Sequence, residues 1–181
     1  MASTIRVDTL QDAGANEYFA SDGSGVFSGS LTNVPAFEAY LASDQSTITS
    51  ATFTKVQFAS THFDTDTNYS TSNYRFTPLK SGQYFFYSYF RITNSVGNTN
   101  LGSSQVALYK NGALIKRIMT NPAANYMNSM SLTLSTVAEA NGTTDYFEIY
   151  VYGLAVSGTA SVNGDSSGDR SIFGAYKLGG A

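Results

Sequence analysis

The chain has 181 residues, which suits one compact domain with a short appendage. It contains no cysteine, so disulfide scaffolds and thiolate-based metal or catalytic sites are excluded. Its net charge is −3 and only 13% of its residues are charged, which leaves no basic surface for nucleic acid. No apolar stretch approaches the length of a membrane span, and the first residues lack the apolar core of a signal peptide. We therefore expect synthesis in the cytoplasm and no membrane or nucleic-acid partner.

The first 34 residues differ in composition from the rest of the chain. Apolar and polar residues alternate over 5–10, which predicts a short strand, and glycine and serine then cluster at 22–25 and 29–30. The segment is too short and too poor in apolar residues to form a second domain. We therefore predict an extended N-terminal arm over 1–34, followed by a single domain over 35–181.

From about residue 48 onward, apolar and polar residues alternate with the period of two that is typical of β-strands. The clearest runs cover residues 82–93, 127–138 and 145–153. Between two further apolar runs lies Asn111-Gly112, a pair that tolerates positive φ at both positions and so predicts a tight hairpin. Beyond residue 45 no segment has a helical period, and we expect at most one helical turn, over 38–41. This pattern predicts an all-β sandwich or barrel.

Two of the predicted strands carry bulky residues on both faces. One core buries only one face of a strand, so the second set of rings needs another burial site. A symmetric oligomer interface would supply it, because exposed apolar patches of this kind mark interaction sites. The alternative is a wide sheet with a partly covered outer face. The candidate interface residues are Phe85, Tyr87, Tyr89, Tyr146, Tyr150 and Tyr152.

Seven residues of the predicted domain have the spacing of the C1q-domain signature. They are Phe58, Asp64, Tyr69, Phe76, Gly82, Tyr84 and Phe86. Ser88 stands where that signature has an aromatic residue, and 171–176 is similar to the closing strand of the family. The resemblance covers about 36–178 and implies a C1q/TNF-like jelly-roll β-sandwich. It also implies a homotrimer with aromatic residues near the three-fold axis.

Residues 3–12 resemble the opening of many small structural proteins of marine and cyanobacterial phages, in which such an arm often precedes a C1q-like head. The resemblance implies a non-enzymatic protein of the virion surface. We expect a trimeric capsid decoration (cement) protein whose arm contacts the major capsid protein. The candidate anchoring residues of the arm are Ile5, Val7, Leu10, Tyr18, Phe19, Val26 and Phe27.

A tail-fibre or receptor-binding tip that recognises a host cell-surface glycan is the alternative function. Its partners would be other tail or fibre proteins, and its candidate binding loops are 94–104, 120–128 and 157–170, since binding residues often lie on loops of a rigid scaffold. A polysaccharide depolymerase is a third hypothesis, but the glutamates at 38, 139 and 148 are scattered and indicate no convergent carboxylate pair.

No motif predicts catalysis or metal binding. The segment 164–168 fits G-x-S-x-G, but a nucleophile elbow requires a following helix, and His62 is the only histidine. The aspartate pairs Asp64/Asp66 and Asp165/Asp169 are candidate calcium ligands, yet neither lies in a recognisable ligand loop, and solvated turn carboxylates are favoured. We therefore predict no catalytic residue, no cofactor and no metal ion.

Overall fold

The computed structural model describes residues 9–11, 13, 17–21, 27–28, 34–95, 101–122 and 127–178. The chain separates into two compact units, Met1–Val34 and Pro35–Ala181. We call the first unit the arm and the second the head. Throughout the described residues the regular structure consists of β-strands, and no helix there could cross a membrane.

The described residues of the arm form a small antiparallel sheet. Its strands are β1 (Thr9–Gln11), β2 (Glu17–Ser21) and β3 (Phe27–Ser28), in the order β1-β2-β3. The sequence predicts one short strand in an extended arm, and the pairing of three strands was not predicted. Of the glycine-bearing segments interpreted as interruptions, 22–25 lies between β2 and β3 in the chain, whereas 29–30 follows β3.

The head is built from two antiparallel sheets. Its strands are β4 (Ala36–Tyr40), β5 (Gln45–Ile48), β6 (Thr54–Lys55), β7 (Ser60–Asp64), β8 (Tyr69–Ser70), β9 (Arg75–Phe76), β10 (Gly82–Asn94), β11 (Leu101–Lys110), β12 (Ala113–Thr120), β13 (Ser129–Ala140), β14 (Phe147–Ala155), β15 (Ala160–Val162) and β16 (Ile172–Lys177). The seven-stranded sheet has the order β5-β15-β10-β16-β4-β7, and β13 also pairs with β10. The six-stranded sheet has the order β12-β11-β14-β9-β8, and β6 also pairs with β14.

Strand β10 organises the seven-stranded sheet. Along one edge it pairs with β13 over its whole length, and along the other it pairs first with β16 and then with β15. Its inward face is buried at Tyr84, Phe86, Phe90 and Ile92, so the predicted alternation is confirmed. Ser88 lies on the same face and donates a hydrogen bond to the Ile172 carbonyl (2.8 Å), which satisfies a hydroxyl where the C1q signature has a ring.

The core lies between the two sheets and is largely aromatic. Phe86 of the seven-stranded sheet meets Phe147 of the six-stranded sheet with ring centroids 4.3 Å apart. Phe37 stacks on Phe76 at 4.3 Å and contacts Phe173 edge-on at 5.0 Å. Burial of each such ring contributes about 1.5–3 kcal/mol, so these rings hold the two layers together.

The signature residues form one structural unit around this core. The buried Tyr69 donates its hydroxyl to the Phe58 carbonyl (2.9 Å). Asp64 accepts hydrogen bonds from the backbone nitrogens of Asn68 (3.2 Å) and Tyr69 (2.8 Å), which closes the turn between β7 and β8. The spacing of the signature therefore reflects packing and turn closure.

Two local predictions have clear outcomes. The hairpin at Asn111-Gly112 is confirmed, because these residues join β11 to β12 with φ of 54° and 78°. The helical turn expected over 38–41 is wrong. Glu38 lies in β4, where Phe37 and Ala39 alternate with half-buried neighbours and point into the core. Four residues cannot distinguish the two periods, and pairing with β16 and β7 decides in favour of the strand.

Candidate interaction surfaces

The six predicted interface residues lie on opposite sides of the head. Phe85, Tyr87 and Tyr89 alternate with the core residues of β10 and form part of the outer face of the seven-stranded sheet. The other three, at positions 146, 150 and 152, lie on the outer face of the six-stranded sheet. A single flat contact therefore cannot contain both groups. Alternation in the sequence shows which residues share a face of a strand, but it does not show to which sheet the strand belongs.

Tyr87 lies flat across the outer face of the seven-stranded sheet. The strand register places Tyr87 beside Gly174 of β16, and Gly174 beside Glu38 of β4. Because Gly174 has no side chain, the ring crosses over it, and the hydroxyl donates to Glu38 Oε2 at 2.9 Å. Burial, followed by the hydrogen bond and the negative charge of Glu38, raises the pKa of Tyr87 well above its usual value.

The rest of this outer face carries apolar side chains on β10 and β16 and mostly Ser and Thr side chains on β13. The rings of Phe85 and Tyr176 are 5.4 Å apart. Tyr176 is 42% exposed, Val137 on β13 is 49% exposed and Tyr89 is 38% exposed. Together with Tyr87 they form a continuous patch over β10, β13 and β16, which we call the aromatic face.

The tyrosines of the six-stranded sheet are covered differently, because they pack mainly against their own chain. Tyr150 lies 4.2 Å from the Tyr109 ring, and Tyr152 lies 5.5 Å from the Phe53 ring. The guanidinium of Arg75 lies 4.7 Å from the centre of the Tyr146 ring. All three of these tyrosines are half-buried, as are Phe85 and Tyr87 on the other face, but each has a ring or guanidinium partner from its own chain.

Strand β12 forms an exposed edge that the sequence analysis did not single out. All of its residues are exposed, and β11 is its only paired neighbour among the described strands. Leu114, Ile115, Ile118 and Met119 stand open to solvent, with Met119 52% exposed. The sequence does indicate this surface in one way: residues 113–120 carry apolar side chains on both faces of the strand, which is unusual for a strand with a solvated side. We call this strand the apolar edge.

A cleft of about 350 Å³ lies at the end of the aromatic face. The register sets Tyr89 opposite Thr133 and Arg91 opposite Ser131, and the loop before β16 adds Asp169 and Arg170. Arg170 Nε also pairs with Asp165 Oδ2 at 3.1 Å. The cleft is therefore lined by two guanidiniums, one carboxyl group and the Tyr89 ring, together with the hydroxyls of Ser131 and Thr133. Of these residues, the sequence analysis named Tyr89, Asp165 and Asp169, and it included Arg170 only within loop 157–170.

The four candidate calcium ligands already have partners. Asp64 closes a backbone turn, and Asp66 Oδ2 pairs with Lys80 Nζ at 3.4 Å. A hydrogen bond from Asp169 lowers the pKa of Asp165 to about 2, and the same contact raises the pKa of Asp169. Asp165 also accepts from the Gly168 backbone nitrogen at 2.6 Å. Within the described part of the chain, no cluster of three or more metal-ligating side chains occurs.

The G-x-S-x-G segment forms a turn between β15 and β16. Ser167 donates to Asp165 Oδ1 at 3.1 Å, while Ser166 is exposed. His62 packs edge-on against the Tyr40 ring at 4.4 Å. In this loop, which the structure describes in full, no hydrogen bond joins a serine to His62, so the arrangement of a catalytic triad is not present.

The predicted anchoring residues are only partly described. Leu10 lies in β1, Tyr18 and Phe19 in β2, and Phe27 in β3. Ile5, Val7 and Val26 lie outside the described residues. The role of all seven in anchoring stays a prediction.

Comparison with known proteins identifies the fold of the head. No family model matches the chain, and no curated protein matches its sequence. Solved structures do match. The globular domain of zebrafish complement 1qA superposes with a TM-score of 0.52 at 12% identity, covering 81% of this chain and 98% of that one. The head is a C1q/TNF-like jelly roll.

Two further structures support the same jelly roll. Murine APRIL superposes with a TM-score of 0.54 at 13% identity, covering 81% of this chain and all of that one. The Eiger TNF of S. frugiperda superposes with a TM-score of 0.55 at 10% identity, covering 82% and 94% of the two chains. The predicted fold class is therefore confirmed.

Proposed function

We propose that the protein is a non-enzymatic structural protein of a phage virion surface, in which three jelly-roll heads associate and the arms attach the trimer to the capsid as decoration. The observation that carries this proposal is the pair of exposed apolar surfaces on one head, the aromatic face and the apolar edge. Exposed patches that contain several large apolar residues mark sites of association.

The two surfaces differ in shape and lie on different strands, which favours a head-to-tail contact. The aromatic face is a broad sheet surface, whereas the apolar edge is a single strand at the margin of the other sheet. When one copy's edge packs on the next copy's face, the contact is heterologous, and such contacts generate closed rings when the rotation closes. A ring of three agrees with the trimer that the C1q resemblance implies.

The apolar edge carries two cations, and the aromatic face carries two carboxyl groups as well as Arg91 at its end. The apolar edge carries Lys116 and Arg117, and neither has a carboxylate within 4.0 Å among the described residues. The aromatic face carries Glu38 beside Tyr87 and Asp169 near Tyr89. Contacts between opposite charges fix register and exclude wrong partners more than they add affinity.

Light scattering coupled to size-exclusion chromatography tests the association. We expect the mass of a trimer for the unaltered chain and of a monomer for Ile118→Lys, because a lysine at the centre of the contact would be buried without a partner. Val156→Lys replaces an equally apolar exposed residue outside both surfaces and should remain trimeric. A monomeric unaltered protein at micromolar concentration would overturn the proposal.

The role in decoration is tested on particles. The resemblance of residues 3–12 to phage structural proteins supports a virion location. We expect image reconstruction of intact particles to place the trimers on the capsid, in hundreds of copies. A few dozen copies confined to the tail would instead support the receptor-binding alternative.

One observation favours that alternative. Loop 157–170, a predicted binding loop, contributes Asp169 and Arg170 to the cleft beside Tyr89. A ring beside paired donors and acceptors suits the hydroxyl groups of a glycan. Binding of purified protein to host cells, lost in Arg170→Ala at unchanged trimer mass, would support this second function.

A further inference from the structure

A second, smaller pocket lies at the opposite margin of the six-stranded sheet from β12. It has a volume of about 240 Å³ and surrounds the turn that joins β8 to β9. Its polar lining consists of Thr67, Asn68, Ser70, Asn73, Arg75 and Thr77. The volume is below the ~300 Å³ at which sites for drug-sized ligands begin, so it admits a single small group such as one sugar unit.

Arg75 is the only charged residue in this lining, and it has no carboxylate partner. No Asp or Glu oxygen lies within 4.0 Å of its guanidinium among the described residues. Its side chain is half-buried and is held over the Tyr146 ring at 4.7 Å. A guanidinium fixed in this way keeps donors available for an oxyanion at little further cost in side-chain entropy.

The neighbouring carboxylates are already paired and do not neutralise Arg75. Glu148 Oε1 pairs with Lys55 Nζ at 2.6 Å. Asp66 pairs with Lys80, and Asp64 accepts two backbone N–H groups. The unmatched charge in this part of the head is therefore the positive charge of Arg75.

The uncharged lining adds hydrogen-bonding groups around this charge. Three hydroxyls and two amides surround the pocket. Asn68 is buried, and its Nδ2 has no acceptor in the structure. Hydroxyls and amides of this kind can both donate to and accept from the hydroxyl groups of a sugar.

The backbone around the pocket is strained. Thr67 and Tyr74 have φ of 56° and 54°, and they are two of the four described non-glycine residues with positive φ. For a β-branched residue such as Thr67 this conformation is a genuine outlier that costs on the order of 1–3 kcal/mol. Thr67 directly precedes Asn68, and Tyr74 directly precedes Arg75. Strain retained beside two lining residues, one in the β7–β8 turn and one in the β8–β9 turn, points to a binding role for these turns.

We infer that this pocket binds one acidic saccharide unit, with its carboxylate or sulfate group on Arg75 and its hydroxyls on the surrounding Thr, Ser and Asn side chains. The site is independent of the proposed trimer, because it lies on neither the aromatic face nor the apolar edge. It is also distinct from the cleft beside Tyr89, in which a carboxyl group accompanies the arginines.

Titration of the full-length protein, followed by ¹⁵N-edited NMR and calorimetry, tests the inference with four probes: glucuronate, glucose 6-sulfate, glucose and inorganic sulfate. We expect millimolar binding of at least one acidic sugar, with shift changes in residues 67–77, and at least tenfold weaker binding of glucose and of sulfate alone. The stronger acidic sugar identifies the anionic group. Equal affinity for glucose would overturn the role of Arg75, and equal affinity for inorganic sulfate would overturn the saccharide.

Variants locate the site. Arg75→Gln should weaken binding of the acidic sugar by about tenfold to a hundredfold, because a hydrogen bond to a charged group is lost. Arg170→Gln, in the other cleft, is the matched control and should bind normally. Thr77→Val keeps the charge and the shape of the pocket but removes one hydroxyl, and it should weaken binding severalfold. It tests the site if Arg75→Gln does not fold. Unchanged binding in both pocket variants, or loss in Arg170→Gln, would overturn the inference, and trimer mass measured on the same samples reports on the proposed function separately.

Discussion

The contact between Tyr87 and Gly174 gives a sharp test of how the aromatic face is held in place. A Cβ added at position 174 would lie 2.5 Å from the Tyr87 hydroxyl oxygen and 2.8 Å from Cε1 of the ring. Gly174→Ala must therefore displace the ring and break its hydrogen bond to Glu38. The φ of Gly174 is not in the left-handed region, so the backbone itself accepts alanine.

The size of the effect follows from the groups involved. A hydrogen bond to a charged group contributes about 1.5–3 kcal/mol. Alanine in a strand is more stable than glycine by roughly 0.5–1 kcal/mol, which offsets part of the loss. We expect a net destabilisation of about 1–2 kcal/mol, which for a chain of this length lowers the melting temperature by roughly 3–6 °C.

A double-mutant cycle measured by urea unfolding and circular dichroism separates the contact from other effects. When Tyr87→Ala has already removed the ring, Gly174→Ala should become stabilising by about 0.5–1 kcal/mol. All four proteins are compared at one concentration, since association changes the apparent stability. If Gly174→Ala changes the free energy of unfolding equally with and without the Tyr87 ring, then the position of the ring does not depend on the absence of a side chain at 174.

Three further changes test the head. The Asp145 carboxylate accepts hydrogen bonds from Asn111 and Lys110, which lowers its pKa. Its stabilising effect is therefore present above about pH 4 and is lost as the pH falls through the lowered pKa. Asp145→Asn should lower the free energy of unfolding by about 2 kcal/mol at pH 7 and by progressively less at lower pH, as measured by urea titration. Tyr69→Phe should lower the free energy of unfolding by about 1–3 kcal/mol, because a buried hydroxyl donor is lost. Phe147→Ala should lower it by about 3–5 kcal/mol in the same assay, and a loss below 1 kcal/mol would contradict its central place in the core.

Local patterns in the sequence were enough to predict that the head is built of β-strands. Alternation identified the buried face of β10, and Asn111-Gly112 located a hairpin, because both depend on residues close together in the chain. The C1q-like spacing predicted the jelly roll correctly, since its members form one packed and hydrogen-bonded unit between Phe58 and Phe86.

The surfaces could not be predicted in the same way. Tyr87 and Tyr150 look equivalent in the sequence, and only the pairing of distant strands places them on opposite sides of the head. The exposure of β12 depends on its position at a sheet margin, which no local pattern encodes. The pocket at Arg75 depends on left-handed residues such as Thr67, whose conformation the surrounding structure imposes against local preference.

The position of β4 between β7 and β16 constrains how the polypeptide acquires its structure during synthesis. β4 is the first strand of the head, whereas its partner β16 closes the jelly roll and is synthesised more than 100 residues later. At ordinary translation rates the wait is on the order of ten seconds. During that time Phe37 lacks its contact with Phe173. The nascent chain therefore passes through a stage in which the first strand of the head has only one of its two neighbours, and chaperone dependence should fall once β16 has emerged.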